Sequence, residues 1–247
     1  MLIQPHDHII PFGASKKTKK EQVAEMFDKI AGKYDFMNRF LSARTDIRWR
    51  KKAINALKKY QPQYILDIAT GTGDMAIRAH KTLHPEHITG IDISSQMLAE
   101  GRKKIEKLGL SSKISLQKGD SENLPFSANR FDVVMAAFGV RNFENLEKGL
   151  TEMYRVLKDG GRLCIIEFSR PKPGFIKSIY QVYMSVVAPQ IAKVFKQDKQ
   201  AYQYLNRSAN AFPERSDFTA ILEKAGFKNT SYQPLTFGMC CIYYGSK

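Results

Sequence analysis

The sequence predicts a doubly wound α/β domain with a mostly parallel seven-stranded sheet and an antiparallel C-terminal edge. Three observations carry that prediction. From residue 64 onward, short apolar runs alternate with amphipathic segments in β-α-β-α order, the pattern of a parallel sheet covered by helices on both faces. The first run, YILDIAT at 64–70, leads into the glycine turn Gly71-Thr72-Gly73 and then into a helical segment. A chain of 247 residues with 43% hydrophobic content also has the size and apolar share for one domain with a substantial core.

Taken in order, residues 1–20 hold Pro5, Pro11, Gly13 and a lysine cluster at 16–20, so they are expected to be irregular and mobile until something binds. Helices follow over 21–33, with Val23, Met26, Phe27 and Ile30 at helical spacing, and over 47–60, with Ile47, Ala53, Ile54 and Leu57 on the apolar face. Residues 1–60 thus form an N-terminal helical cap on the domain. Strands are placed at 64–70, 87–93, 113–119, 131–138 and 161–168, and helices at 74–83, 95–108 and 144–158. Gly109 and the Gly160-Gly161 pair stand where helix C-caps belong. Residues 172–212 break the rhythm with Pro173, Pro189 and a Tyr-rich amphipathic stretch, read as a helical lid insertion over the active-site side. A helix at 216–225 stops at Gly226, and strands at 228–235 and 239–245 make the antiparallel edge. The whole of 1–247 is one domain in this reading.

Composition narrows the function classes. No run approaches about 18 apolar residues, so no transmembrane helix is expected. The first 20 residues lack an apolar signal core, contain no Arg and include Asp7, which argues for the compartment of synthesis, the cytoplasm. Cys164, Cys240 and Cys241 lie in apolar stretches and read as buried thiols, neither a disulfide framework nor a metal site. The formal charge of +15 favours a polyanion, either nucleic acid or an anionic membrane surface. The basic residues are spread along the chain without a nucleic-acid motif, so nucleic acid is not the expected partner.

The strongest local signal is Asp67-x-x-x-Gly71-Thr72-Gly73-Asp74. Gly71 and Gly73 allow a tight turn that brings main-chain N–H groups close to a ligand. Asp92 follows 21 residues after Gly71, at the end of the next strand, where a carboxylate can accept from both ribose hydroxyls. Asp120 and Ser121 close the third strand. Ligands of open α/β sheets bind outside the carboxyl ends of the strands, so these strand ends converge on one crevice. Ala76 stands at the third glycine of a dinucleotide fingerprint, which the looser form of that fingerprint permits, and no phosphate-binding lysine follows the loop. Asp67, Asp74, Asp92 and Asp120 together suit a sulfonium with an ammonium group better than a pyrophosphate. The predicted cofactor is S-adenosyl-L-methionine.

Five stretches then show that the chain resembles the ubiquinone/menaquinone biosynthesis C-methyltransferases, class I methyltransferases of Rossmann-like fold. They are Tyr34-Asp35-Phe36-Met37-Asn38 with Leu41-Ser42 and Trp49; Asp67 to Asp74; Phe138-Gly139-Val140-Arg141-Asn142; Arg155-Val156-Leu157-Lys158 with Gly160-Gly161 and Glu167-Phe168-Ser169; and Tyr204-Leu205 with Ser208 and Phe212-Pro213. Two positions depart from the family pattern. Asp46 stands where the family often has His, and Asp159 where Pro or Val usually precedes the glycine pair. The resemblance implies that Thr72, Asp92, Asp120 and Ser121 contact S-adenosylmethionine, with Asp92 on the ribose and Asp120 and Ser121 on the adenine edge. It also implies C-methylation of a polyprenylated quinol, either 2-demethylmenaquinol or a benzoquinol of ubiquinone biosynthesis.

A quinol ring carbon becomes nucleophilic when a ring hydroxyl, of pKa about 10, loses its proton. A base or a cation that stabilises the phenolate must therefore assist. None of the five histidines lies near a strand's carboxyl end. Arg141 and Asn142 follow strand 4 directly and, with Asp120, are the candidate catalytic residues; Arg141 would stabilise the phenolate or orient a water rather than act as a base. Tyr34 and Asn38 sit four apart, on one face if their segment is helical, and with Tyr180 and Tyr183 are the candidate substrate-binding residues. The lysine-edged apolar stripe of 172–212 suggests transient contact with an anionic membrane, at its inner face. Another small-molecule or sterol methyltransferase and an RNA-directed one are the competing readings, and a homodimer is left open.

Overall fold

A computed structural model describes residues 5–13, 16–171 and 199–247. After a 3-10 turn at Pro5–His8, helix α1 runs over Lys19–Leu41 and α2 over Thr45–Leu57, extended by a 3-10 turn at Lys58–Tyr60. The sheet domain then alternates: β1 (Tyr64–Ile68), α3 (Asp74–Leu83), β2 (His87–Asp92), α4 (Ser95–Lys107), β3 (Ile114–Lys118), β4 (Phe131–Ala137), α5 (Leu146–Val156) and β5 (Leu157–Phe168). Helices α6 (Lys199–Ala211) and α7 (Ser216–Lys224) precede β6 (Lys228–Leu235) and β7 (Cys240–Ser246).

The strand order is β3-β2-β1-β4-β5-β7-β6, with β7 antiparallel to both neighbours and the other pairings parallel. The predicted seven-stranded sheet is therefore present, and β7 is inserted between β5 and β6. Alternation along each strand separates two cores. Leu66, Val134, Leu163 and Ile165 pack with Met153 of α5 and Phe218 and Leu222 of α7. Ile65, Val133, Cys164 and Ile166 pack with Ile54 of α2, Ala76 of α3 and Leu98 of α4. Burial on both faces is what an apolar, non-alternating strand such as YILDI requires. All three cysteines are buried and free, as expected.

Two expectations are corrected. Among the described residues before α1, the turn around His6 is packed rather than loose: His6 is fully buried with its ring against Phe212, and Lys19 Nζ donates to the His6 carbonyl at 2.8 Å. A capping box, in which Thr18 accepts from the Glu21 amide and Glu21 accepts from the Thr18 amide, anchors the entry to α1. Helix α1 is also longer than 21–33 and continues through Tyr34 and Asn38 to Leu41. The segment 172–198, with Tyr180 and Tyr183, lies outside the described residues.

Candidate active site

Strand order reverses between β1 and β4, and the main cleft opens there, at the carboxyl ends of the strands. Its wall is built from Ala69 and Gly71 after β1, Asp92 after β2, Asp120 and Ser121 after β3, and Phe138 and Asn142 after β4. Helix α1 crosses it and contributes Lys20, Phe27 and Tyr34.

The glycine loop is shaped by backbone torsion. Gly71 and Gly73 take φ of 56° and 79°, the left-handed region that favours glycine. Asp92 fastens this loop: its Oδ2 accepts from the Gly71 amide at 2.8 Å and its Oδ1 from the Ser94 amide at 2.9 Å. Burial raises the Asp92 carboxyl to about 6 despite those amides. Asp67 lies deeper, accepts from the Thr70 hydroxyl at 2.6 Å, and is raised to about 7 by burial. Its other oxygen has no hydrogen-bond partner among the described residues.

The remaining acids are neutralised by lysines. Asp120 meets Lys20 Nζ at 2.7 Å, and the same ammonium reaches Glu122 at 2.9 Å. Asp74 accepts from Lys104 Nζ at 2.7 Å. Thr72 donates to Asp35 of α1 at 2.6 Å, and Lys104 also holds Asp35. The acidity that first suggested a cationic ligand is thus concentrated in Asp67 and Asp92.

Arg141 lies beside the cleft rather than in its wall. Its Nη1 donates to Glu167 Oε1 at 2.7 Å and to the Phe138 carbonyl at 2.5 Å, and its guanidinium lies 5.2 Å from the centre of the Phe168 ring. Both partners are buried, and desolvation raises the Glu167 carboxyl in spite of Arg141. Asn142 lines the cleft and accepts from the Tyr204 hydroxyl of α6 at 3.1 Å. Tyr34 and Asn38 do share a helix and line one cavity; burial raises the Tyr34 hydroxyl, opposed by its hydrogen bond with Asn38.

The structure therefore brings together Asp67, Gly71, Thr72, Gly73, Asp92, Asp120, Ser121, Asn142, Tyr34 and Asn38, with Arg141 immediately behind. Asp120, placed among the catalytic candidates, is ion-paired on the same side as Ser121. His80, His84 and His87 lie at the opposite edge of the sheet, around the end of α3 and the start of β2. Sequence reasoning missed Glu167, Lys20 and Tyr204. Glu167 was legible by the rule that flagged Arg141, since it occupies the carboxyl end of β5.

These residues fit S-adenosylmethionine: a glycine turn exposing amides, a buried carboxylate for ribose hydroxyls, and a buried carboxylate oxygen without a partner where an ammonium can pair.

Comparison with known proteins agrees with this geometry. The model of the ubiE/COQ5 methyltransferase family matches residues 15–247. A demethylmenaquinone methyltransferase of Bacteroides fragilis is 46% identical, over 98% of this chain and 99% of the relative. A ubiquinone/menaquinone biosynthesis C-methyltransferase UbiE of Geotalea daltonii is 42% identical, over 93% of this chain and 97% of that one. Among solved structures, a SAM-dependent methyltransferase of Thermotoga maritima shares the fold, with a TM-score of 0.62 at 20% identity, covering 91% of this chain and 99% of its own. By the family match and the near-complete overlap with these relatives, the chain belongs to the ubiE/COQ5 methyltransferase family and is an S-adenosylmethionine-dependent methyltransferase.

Proposed function

We propose that this enzyme methylates a ring carbon of 2-demethylmenaquinol to give menaquinol. The buried Arg141–Glu167 pair behind the cleft carries this reading, because a phenolate needs a fixed cation and its proton needs an acceptor. Bound S-adenosylmethionine supplies an electrophilic methyl group on a sulfonium. Asp92 takes the ribose hydroxyls, and Asp120 with Ser121 takes the adenine edge. Arg141 lowers the cost of ionising the ring hydroxyl. Glu167, made more basic by burial, receives the hydroxyl proton through a water that Arg141 orients, and after methyl transfer the proton of the methylated carbon passes to the ring oxygen, restoring the aromatic quinol with one proton released in all. Asn142 and Tyr34 hold the ring.

The relatives' names favour the menaquinone series, and the UbiE name keeps the benzoquinol of ubiquinone biosynthesis as the second reading. Mass spectrometry of lipids from cells lacking this protein separates them. A naphthoquinone one CH2 light should accumulate; a benzoquinone with the same deficit would transfer the assignment to the ubiquinone series, and an unchanged quinone pool would refute both.

A polyprenyl substrate resides in the bilayer, yet no helix of the described residues is long and apolar enough to cross one. Peripheral contact at the cytoplasmic face follows from this reading. Phe36 and Phe40 support it: they are 65% and 48% exposed, and their rings stack at 6.1 Å on the last turns of α1. Exposed Lys33, Arg39, Arg44 and Arg48 surround them along the chain. In co-sedimentation, binding should rise with anionic lipid, fall with salt and weaken in Phe36→Ser/Phe40→Ser. Equal recovery on neutral and anionic vesicles would remove the membrane role.

A further inference from the structure

Asn142 ends the short 3-10 turn Val140–Asn142 that follows β4. Two neighbouring side chains of this turn are held from outside it. Arg141 is held by Glu167 of β5. Asn142 is held by Tyr204 of α6, whose hydroxyl donates to the amide oxygen Oδ1 at 3.1 Å across 62 residues of chain.

Tyr204 is fully buried, and its ring packs with Val23 and Met26 of α1 and with Ala201 of its own helix. Burial raises its hydroxyl above the ordinary value, so the proton stays on and the group remains a donor. Among the described residues that hydroxyl has no partner other than Asn142. Turning the amide over would set an NH2 group against it and leave its proton without an acceptor, which is costly for a buried donor. The amide is therefore locked with Oδ1 turned to Tyr204.

That lock decides what Asn142 shows to the cleft. A carboxamide carries an acceptor at one end and two donors at the other, and the two ends have opposite uses for a quinol. Oδ1 in the cleft would accept from the ring hydroxyl and favour its protonated form. Nδ2 would donate to a ring oxygen, and that bond strengthens as the oxygen becomes anionic. With Oδ1 taken by Tyr204, Nδ2 has no partner among the described residues, and Asn142 lines the cleft.

We propose that Tyr204 is a positioning residue for methyl transfer: by holding Oδ1 of Asn142 it keeps the donor end of the amide for the quinol, so that Asn142 stabilises the phenolate alongside Arg141. The proposal rests on the quinol reading above and adds to it the direction in which Asn142 acts. Tyr204 itself is not part of the cleft's wall and works through Asn142.

Tyr204→Phe removes the hydroxyl and keeps the ring in its packing. With 2-demethylmenaquinol under anaerobic conditions, kcat should fall about 10-fold, the effect of one hydrogen bond to a charged group, while affinity for S-adenosylhomocysteine stays within about twofold of wild type. The deficit should shrink as pH is raised toward the ionisation of the ring hydroxyl, at about 10, because a phenolate that forms unaided no longer needs the donor. A merely structural loss would not recover with alkali. Tyr204→Phe should also add little to Asn142→Ala: the double variant and Asn142→Ala alone should agree within about twofold. Wild-type kcat in Tyr204→Phe, a deficit independent of pH, or an equal effect of Tyr204→Phe with and without Asn142 overturns the proposal. If Tyr204→Phe does not fold, Asn142→Asp carries the test. It keeps an acceptor for Tyr204 but offers the cleft an acceptor in place of the donor, so its kcat should fall at least as far as that of Asn142→Ala. Near wild-type turnover in Asn142→Asp overturns the proposal as well. If wild type methylates neither 2-demethylmenaquinol nor a demethylated benzoquinol, the quinol reading itself falls and takes the role of Tyr204 with it.

Discussion

Arg141→Ala is expected to lower turnover by about 10²–10³-fold, the loss typical of removing one charge-stabilising donor. Affinity for S-adenosylhomocysteine should stay near wild type, because Arg141 is not part of the cleft's wall. The variant will also be destabilised, by about 3–5 kcal/mol, since Glu167 would be left buried and unpaired. The two effects are separable. Arg141→Met with Glu167→Leu removes both charges, and should recover most of the lost stability without recovering turnover. Denaturant unfolding and kcat at equal folded fraction read these outcomes. Near-normal turnover in the stable double variant would reduce the pair to scaffolding and sink the proposed mechanism.

Asp67→Asn is expected to strengthen the empty protein while weakening its grip on the cofactor. Burial raises the Asp67 carboxyl from its ordinary 3.8 to about 7, with Asp92 adding to the rise and Arg50, the Thr70 hydroxyl and the Ala76 amide opposing it. A folded-state value above the unfolded one makes a stability contribution that is complete below about 4 and disappears as pH climbs through about 7. At pH 7.5 the wild type therefore holds a buried charge that the amide variant lacks. Its Tm should rise by at least about 2 °C at pH 7.5 relative to wild type, and the gain should shrink at pH 5. Cofactor affinity should fall roughly 10–100-fold in the same variant. In wild type, affinity should decline as pH drops below about 7, with proton release on binding, because an ammonium pairs only with the ionised carboxylate. Asp92, raised to about 6, adds to the trend in the same direction. A Tm difference independent of pH would disprove this account of Asp67.

Legibility in the sequence tracked how much each residue's local pattern reports its environment. Strands β1 to β4 came within two residues of their predicted bounds because their apolar runs end in glycines or acids. Strand β5 begins at Leu157, earlier than predicted, since Leu157 pairs with Phe131 directly at the end of α5 and the Gly160-Gly161 turn becomes an irregularity within the strand. The second half of α1 was missed for a functional reason. Tyr34, Asp35 and Asn38 face a cavity rather than the core, so apolar periodicity stops while the helix continues. Arg50 left a readable trace: it falls on the same face as Ala53, Ile54 and Leu57, and a charge on the buried stripe of a helix needs a partner or a ligand. The cation partners of the acids were not readable, because Lys20 and Asp120 are 100 residues apart.

The insertion of β7 between β5 and β6 has a kinetic meaning. Of the sheet's strands, β7 is the last along the chain, yet it occupies an interior slot. Until it arrives, the flank of β5 that will receive it carries unpaired amides and carbonyls next to Ile165 and Ile166, the exposed edge on which strands of different molecules join. At roughly 5–20 residues per second of synthesis, the span from Phe168 to Cys240 leaves that edge open for several seconds. Aggregation during production should therefore respond most strongly to changes in β7 that delay its docking, even where the finished fold tolerates them.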